Sequence, residues 1–292
     1  MISIRVLLLA ALAMIAFAAN SLLCRIALTE TTIDAASFTT IRLVSGAVML
    51  FILWKLLNYR QQPRLAAEKR RFGGNTWSAL ALFVYAAGFS FAYIELSAAT
   101  GALLLFGAVQ LTMIGYGLYK GERLNVVQLI ALALAVIGML VLLLPGASSP
   151  SLSGAVLMTV AGIAWGVYSL RGRSAQNAHY DTSGNFIRAL PLAVLLSLLW
   201  IDSSRLDQTG VVLAIASGAL ASGIGYAVWY AVVPFLSAAS AAILQLSVPP
   251  LTALGAVVFL DESITLRFTL ASVTILGGVA LFIVSKNRFA AR

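Results

Sequence analysis

Leu96-Ser97-Ala98-Ala99-Thr100-Gly101-Ala102-Leu103-Leu104 returns 140 positions later as Leu236-Ser237-Ala238-Ala239-Ser240-Ala241-Ala242-Ile243-Leu244. The same shift carries Glu122 onto Glu262, in the turns Gly-Glu-Arg-Leu and Asp-Glu-Ser-Ile, and Gly138 onto Gly278 in the apolar run that follows each turn. An earlier block repeats with a shift of 148: Ala16-Phe17-Ala18-Ala19-Asn20-Ser21-Leu22 matches Ala164-Trp165-Gly166-Val167-Tyr168-Ser169-Leu170, and Arg25 falls on Arg173. Ile41-Arg42 likewise corresponds to Ile187-Arg188. The chain is one unit written twice, over 1–145 and 150–292.

Composition decides the solvent. Of 292 residues, 61% are apolar and 10% charged, with a mean hydropathy of +0.98. That leaves too little polar surface to cover a soluble domain, so the fold class is an all-α polytopic membrane protein. A bilayer core needs about 20 apolar residues per helix. Charged, Pro and Gly-Ser breaks give ten such segments: 5–28, 35–57, 77–95, 98–119, 126–144, 152–170, 183–201, 209–232, 237–260 and 266–284. Five fall in each repeat, and because five is odd the second repeat enters the membrane from the opposite side, an inverted-topology duplication.

Charge gives the orientation. With a cytoplasmic N-terminus, the inner ends collect Arg5, Lys55, the run from Arg60 to Arg71, Lys120, Arg123, Arg171, Arg173, Arg188, Lys286, Arg288 and Arg292. The outer ends keep Arg25, Arg42, Arg205 and Arg267, so both termini are expected inside. The net charge of +9 and the pI of 10.1 then report topology and call for no nucleic-acid partner. The basic stretch from Arg60 to Arg71 also suits anionic lipid headgroups. Arg5, the apolar run and the string Ala16-Phe17-Ala18-Ala19 mimic a cleavable signal peptide. The repeat argues against cleavage, because the supposed site corresponds to Ala164-Trp165-Gly166-Val167 in mid-helix.

Enzymatic chemistry is poorly supplied. One cysteine, Cys24, and one histidine, His179 in the polar stretch Gln176 to Asp181, leave no disulfide, no cysteine-histidine metal cluster and no cofactor to expect. No phosphate-gripping glycine loop appears. What remains is a protein that moves or holds something within the membrane. Gly162 and Gly166, and Gly218, Ser222 and Gly225, allow helix backbones to approach closely. Pro249-Pro250 inside the ninth segment removes backbone donors and frees carbonyls near Gln245 and Leu246. The fourth segment has Val109-Gln110 there, so the kink belongs to one repeat. Glu122 and Glu262 read as structural, each opening its own helix at the positive end of the dipole.

The two five-helix inverted repeats and the recurring Gly-Glu-Arg-Leu and Asp-Glu turns resemble the drug/metabolite transporter superfamily, EamA branch, over essentially the whole chain. Within that branch the chain is most similar to the bacterial inner-membrane exporters of aromatic amino acids. The resemblance implies export of aromatic and other neutral amino acids and related metabolites by alternating access, through a central cavity between the repeats. It further implies that the fifth and tenth helices are peripheral, facing lipid or a partner subunit, in a monomer or homodimer. Another small metabolite or a drug is the nearest alternative substrate; a lipid-handling role is the alternative from another class. A lipid flippase calls for a basic groove, whereas the central segments read as almost free of Lys and Arg.

Pseudo-symmetry points to the cavity. At two matched positions both residues are aromatic: Phe17 with Trp165, and Phe89 with Trp229. Asn20, Tyr85, Tyr168, Ser169, Tyr226 and Tyr230 stand near them on the same helices, and Gln110 and Gln245 add amides. Such groups suit a flat apolar side chain and a zwitterion held without a fixed counter-charge. Glu95, the lone acid at the edge of an apolar helix, is the candidate for proton coupling.

Overall fold

The computed structural model describes residues 4–58, 73–121, 123–143, 149–172, 178–236 and 244–290. Ten helices follow one another: α1 (Ile4–Glu30), α2 (Ala35–Asn58), α3 (Thr76–Ala92), α4 (Ala98–Tyr119), α5 (Val126–Leu143), α6 (Leu152–Gly172), α7 (Ala178–Leu199), α8 (Gln208–Val232), α9 (Val248–Leu260) and α10 (Leu266–Ala290). No strand occurs among the described residues. Six helices are long and apolar enough to cross a bilayer, and four shorter apolar stretches, Thr76–Ala92, Val126–Leu142, Val248–Leu260 and Leu266–Phe282, accompany them. Helices are what such a solvent demands, since lipid offers no partner to a free N–H or C=O.

Polar residues sit where helices begin. Asp34 accepts from the N–H groups of Ala36 and Ser37 before α2, Asn75 from Ser78 before α3, Ser97 from Thr100 before α4, and Asp207 from Gly210 before α8. Each satisfies donors that the first turn leaves orphaned. The large apolar side chains of α1 turned outward, among them Leu8, Leu12 and Ile15, need a hydrocarbon solvent. Trp77, Tyr119 and Trp200 lie exposed at helix ends, as interfacial aromatics do.

The packing repeats as the sequence does. α1 packs on α8 and α9, and its counterpart α6 packs on α3 and α4. α2 contacts α7 and α8, while α7 contacts α2 and α3. α5 and α10 pack chiefly on each other at the flank. Gly138 and Gly278, equivalent in the two repeats, make that crossing possible: a Cβ on Gly138 would meet the Ile275 nitrogen at 3.0 Å, and one on Gly278 the Ala131 oxygen at 2.7 Å.

Several features depart from the sequence reading. α7 begins at Ala178, so the backbone of His179 belongs to the first helical turn. Pro249 and Pro250 occupy the first turn of α9, where missing N–H groups are harmless. The ninth segment is broken just before them, with Ser247 N–H bonded to the Leu244 oxygen, while α4 runs unbroken. The middle of α8, Ala216–Ile224, is a nine-residue π-helix. Glu262 does not open its own helix, which starts four residues on at Leu266. Glu122, Arg173, Arg60 to Arg71, and most of the second copy of the opening motif (237–243) lie outside the described residues.

Candidate functional site

Six of the residues singled out in the sequence form one aromatic cluster at the centre, drawn from both repeats. Phe17 of α1 meets Trp165 of α6 edge-on at 6.3 Å between ring centroids, and also Tyr226 at 5.9 Å and Trp229 at 6.0 Å on α8. Trp165 lies 4.8 Å from Tyr85 of α3 and 5.0 Å from Tyr226. Phe89 joins through Tyr85 at 5.4 Å. The matched pair Phe17 and Trp165 is thus in contact, while Phe89 joins the cluster through Tyr85 and Trp229 through Phe17. Each such ring pair stabilises by about 0.5–1.5 kcal/mol beyond area burial.

A polar network borders the rings. Asn20 donates to the Tyr85 hydroxyl at 3.3 Å and accepts from Ser217 at 2.6 Å. Arg42 of α2 donates from Nη2 to the Tyr85 hydroxyl at 2.9 Å and from Nε to Ser222 at 3.3 Å. Its guanidinium lies over the rings of Tyr85 and Phe89, at 5.1 and 4.8 Å. Arg42 is only 1% exposed, two turns inside α2. This corrects its placement at an outer end and the reading of the central segments as almost free of basic residues. Hydropathy averaging hid it: one Arg in a 24-residue apolar helix barely moves the mean.

The π-helix of α8 explains how both serines reach this network. In an α-helix, residues five apart diverge by about 140° around the axis. The i→i+5 hydrogen bonding of a π-helix widens the turn and so brings Ser217 and Ser222 toward the same side. α8 also comes very close to α2 there: a Cβ on Gly218 would lie 2.0 Å from the Ser45 hydroxyl and 2.2 Å from the Arg42 carbonyl.

Of the other expected residues, Tyr168 extends the cluster, stacked on Trp165 at 5.5 Å between ring centroids. Tyr168 and Tyr230 line a polar cleft of about 220 Å³ at the end of the bundle where α1 begins, together with Asn75, Ser78, Arg171 and Asp181. Arg171 donates to Asn75 at 2.9 Å and to Ser78 at 3.0 Å, Asp181 accepts from Gly74 N–H at 2.8 Å, and Arg188 donates to the Gly73 carbonyl. Gln110 and Gln245 are buried on the fourth and ninth segments. Their neighbours Leu111 and Leu246 pack with Ala135 and Val279 on the α5–α10 flank. Between α1 and α8 an apolar groove of about 280 Å³, lined by Leu12, Ala16, Leu220 and Gly225, faces sideways.

The opposite end of the bundle is tied shut. Arg25 donates to the carbonyls of Tyr93 and Ile94 at 2.8 and 3.0 Å and lies 3.5 Å from Glu262. Asp34 N–H donates to the Arg205 carbonyl at 3.2 Å, the Asp34 carboxylate accepts the Arg205 N–H at 2.9 Å, and Thr32 N–H donates to Asp207 at 3.1 Å. Glu95 is exposed at this end and accepts from Ser153. The Ser151 and Ser153 hydroxyls hold its carboxyl below the ordinary range.

A family model described as the EamA-like transporter family matches this chain twice, over residues 4–144 and 152–284. The chain is 51% identical over 288 residues to an uncharacterized protein of Pseudomonas aeruginosa, spanning 99% of this chain and 98% of the other. It is 27% identical over 291 residues to an uncharacterized transporter of Archaeoglobus fulgidus, spanning 94% and 96%. A solved crystal structure shares the fold with a TM-score of 0.64 over 97% of this chain and 99% of the other, at 19% identity.

Proposed function

The chain belongs to the EamA-like transporter family, and on that premise we propose that this multi-pass membrane protein exports aromatic and other neutral amino acids from the cell. The observation that carries this reading is the central cluster of Phe17, Tyr85, Phe89, Trp165, Tyr226 and Trp229, contributed by two helices of each repeat and bordered by Asn20 and Arg42. Flat rings offer a side chain of the same kind both area and edge-to-face contacts.

The repeats 1–145 and 150–292 act as the two halves of an alternating-access carrier in the bacterial inner membrane, with both termini in the cytoplasm. On that orientation the cleft of Tyr168 and Tyr230 opens to the cytoplasm and the Arg25–Glu262 end closes the outside, an inward-facing arrangement. Lys55, Arg123, Arg171 and Arg188 then lie toward the cytoplasm, as the positive-inside bias requires.

Proteoliposomes loaded with radiolabelled phenylalanine, threonine or a cationic dye test this. Protein-dependent efflux of phenylalanine supports the proposal, and efflux of the dye alone contradicts it. The sideways apolar groove between α1 and α8 favours a second reading, lipid handling. Movement of a labelled phospholipid between leaflets, with every solute retained, is its signature.

A further inference from the structure

We propose that Arg42 is the anchor for a carboxylate of the transported molecule, so that the site selects organic acids and amino acids over the corresponding amides and amines. The proposal rests on the reading of the aromatic cluster as the substrate site, and it supplies the counter-charge that the sequence alone did not reveal.

Arg42 is a permanent cation, and a guanidinium carries five N–H donors. Two of its nitrogens are used, Nη2 on the Tyr85 hydroxyl and Nε on Ser222. Nη1 is buried without a partner. Among the described residues no carboxylate reaches Arg42. Glu30, Glu95, Asp202 and Asp261 are exposed, Asp34 and Asp207 cap helices at the closed end, Glu262 pairs with Arg25, and Asp181 holds Gly74 in the cleft at the other end. The rings of Tyr85 and Phe89 offset part of the charge through their faces. Two neutral hydroxyls and two rings do not replace the hydration of an ion, and an unpaired buried charge is strongly penalised.

The same surroundings match one ligand chemistry. An arginine fork accepts a carboxylate side by side, and here the fork lies against rings that suit an aromatic side chain. The Tyr226 hydroxyl, also buried without a partner, is a further donor within the same cluster. A bound carboxylate would pair Nη1 and cancel the charge in one step. Its amide or amine counterpart would leave the cation uncompensated.

The test is ligand-induced stabilisation of the purified full chain, read as melting temperature against concentration of L-phenylalanine, hydrocinnamate, phenylalaninamide, phenethylamine and isocaproate. The two aromatic carboxylates are expected to bind about ten- to a hundredfold more tightly than the amide and the amine. Arg42→Gln is expected to erase that preference while leaving weak binding of all four aromatic compounds. Wild-type discrimination decides the matter even if the variant does not fold. Equal binding of acid, amide and amine, or a preference that survives Arg42→Gln, overturns the anchor and leaves the aromatic site intact. Binding of isocaproate that requires Arg42, with none by the aromatic acids, upholds the anchor and overturns the aromatic reading. Stabilisation by no compound in the series overturns the anchor.

Discussion

Glu262 accepts the Ala98 N–H with both carboxylate oxygens, each at 2.9 Å, across 164 positions of sequence. Asp261 makes this possible by taking the left-handed conformation, φ 51°, at the end of α9. The Glu262 N–H then bonds back to the Ala256 carbonyl, and the side chain is turned from its own helix toward the first turn of α4. With Arg25 on the same carboxylate, one residue fastens α1, α4 and the α9–α10 turn. Glu262→Ala is therefore expected to destabilise the protein by about 1–3 kcal/mol. Thermal unfolding in detergent should show a lowered melting point, and proteoliposomes carrying the variant should leak substrate faster at rest than wild type.

Two glycines offer a contrast within one experiment. Gly218 has no room for a methyl group between α8 and α2, so Gly218→Ala should destabilise by about 1–3 kcal/mol and disturb the backbone that holds Arg42. Gly277 in α10 has nothing within 4 Å of where a Cβ would stand. Gly277→Ala should leave the stability unchanged or raise it by up to about 1 kcal/mol through helix propensity, read as a melting temperature equal to or above that of wild type.

The fold was legible because each of its signals recurs. Hydropathy located the segments, the 140-residue echo of Leu96 to Leu104 joined the repeats, and Gly138 with Gly278 marked a crossing that the structure contains. The aromatic positions Phe17, Trp165, Phe89 and Trp229 were found by the same symmetry and do meet in one cluster. Arg42 was misplaced because helix-end charges and interior charges look alike in a sequence, and its symmetry mate Arg188 bonds a backbone carbonyl instead. The π-turns of α8 left no sequence mark beyond small residues, which also serve ordinary packing. Glu262 was assigned to its own helix because the left-handed turn at Asp261, which redirects its side chain, has no mark in the sequence.

Asp34, Glu95 and Asp207 all stand at the closed end with carboxyls held below their ordinary values. For Asp34, burial pushes upward, and bonds from Ser37, Arg205 and Ala36 more than reverse it. For Asp207, the Gly210 N–H is the largest cause. A depressed carboxylate contributes stability above its unfolded value and loses it as pH falls through the folded one. The melting temperature is expected to be flat from pH 8 to about 5 and to fall below about 4. A decline already present between pH 7 and 6 would contradict this assignment.

Glu95 is exposed and tied to the start of α6 through Ser153, so its place in the structure is that of a strut. Glu95→Gln should transport at the wild-type rate, and any response of efflux to an imposed proton gradient should persist. Loss of the gradient response, with transport retained, would identify Glu95 as the coupling group.

On the proposed function the aromatic cluster recognises what the protein moves, and Trp165 is its hub, touching Phe17, Tyr85, Tyr168 and Tyr226. The most direct measurement is phenylalanine efflux from proteoliposomes containing equal amounts of wild type or Trp165→Ala, with insertion checked by protein recovery in the vesicles. A reduction of about tenfold, the loss of roughly 1.4 kcal/mol of ring contact, is expected. Undiminished efflux from a fully inserted variant would contradict the cluster's role in transport.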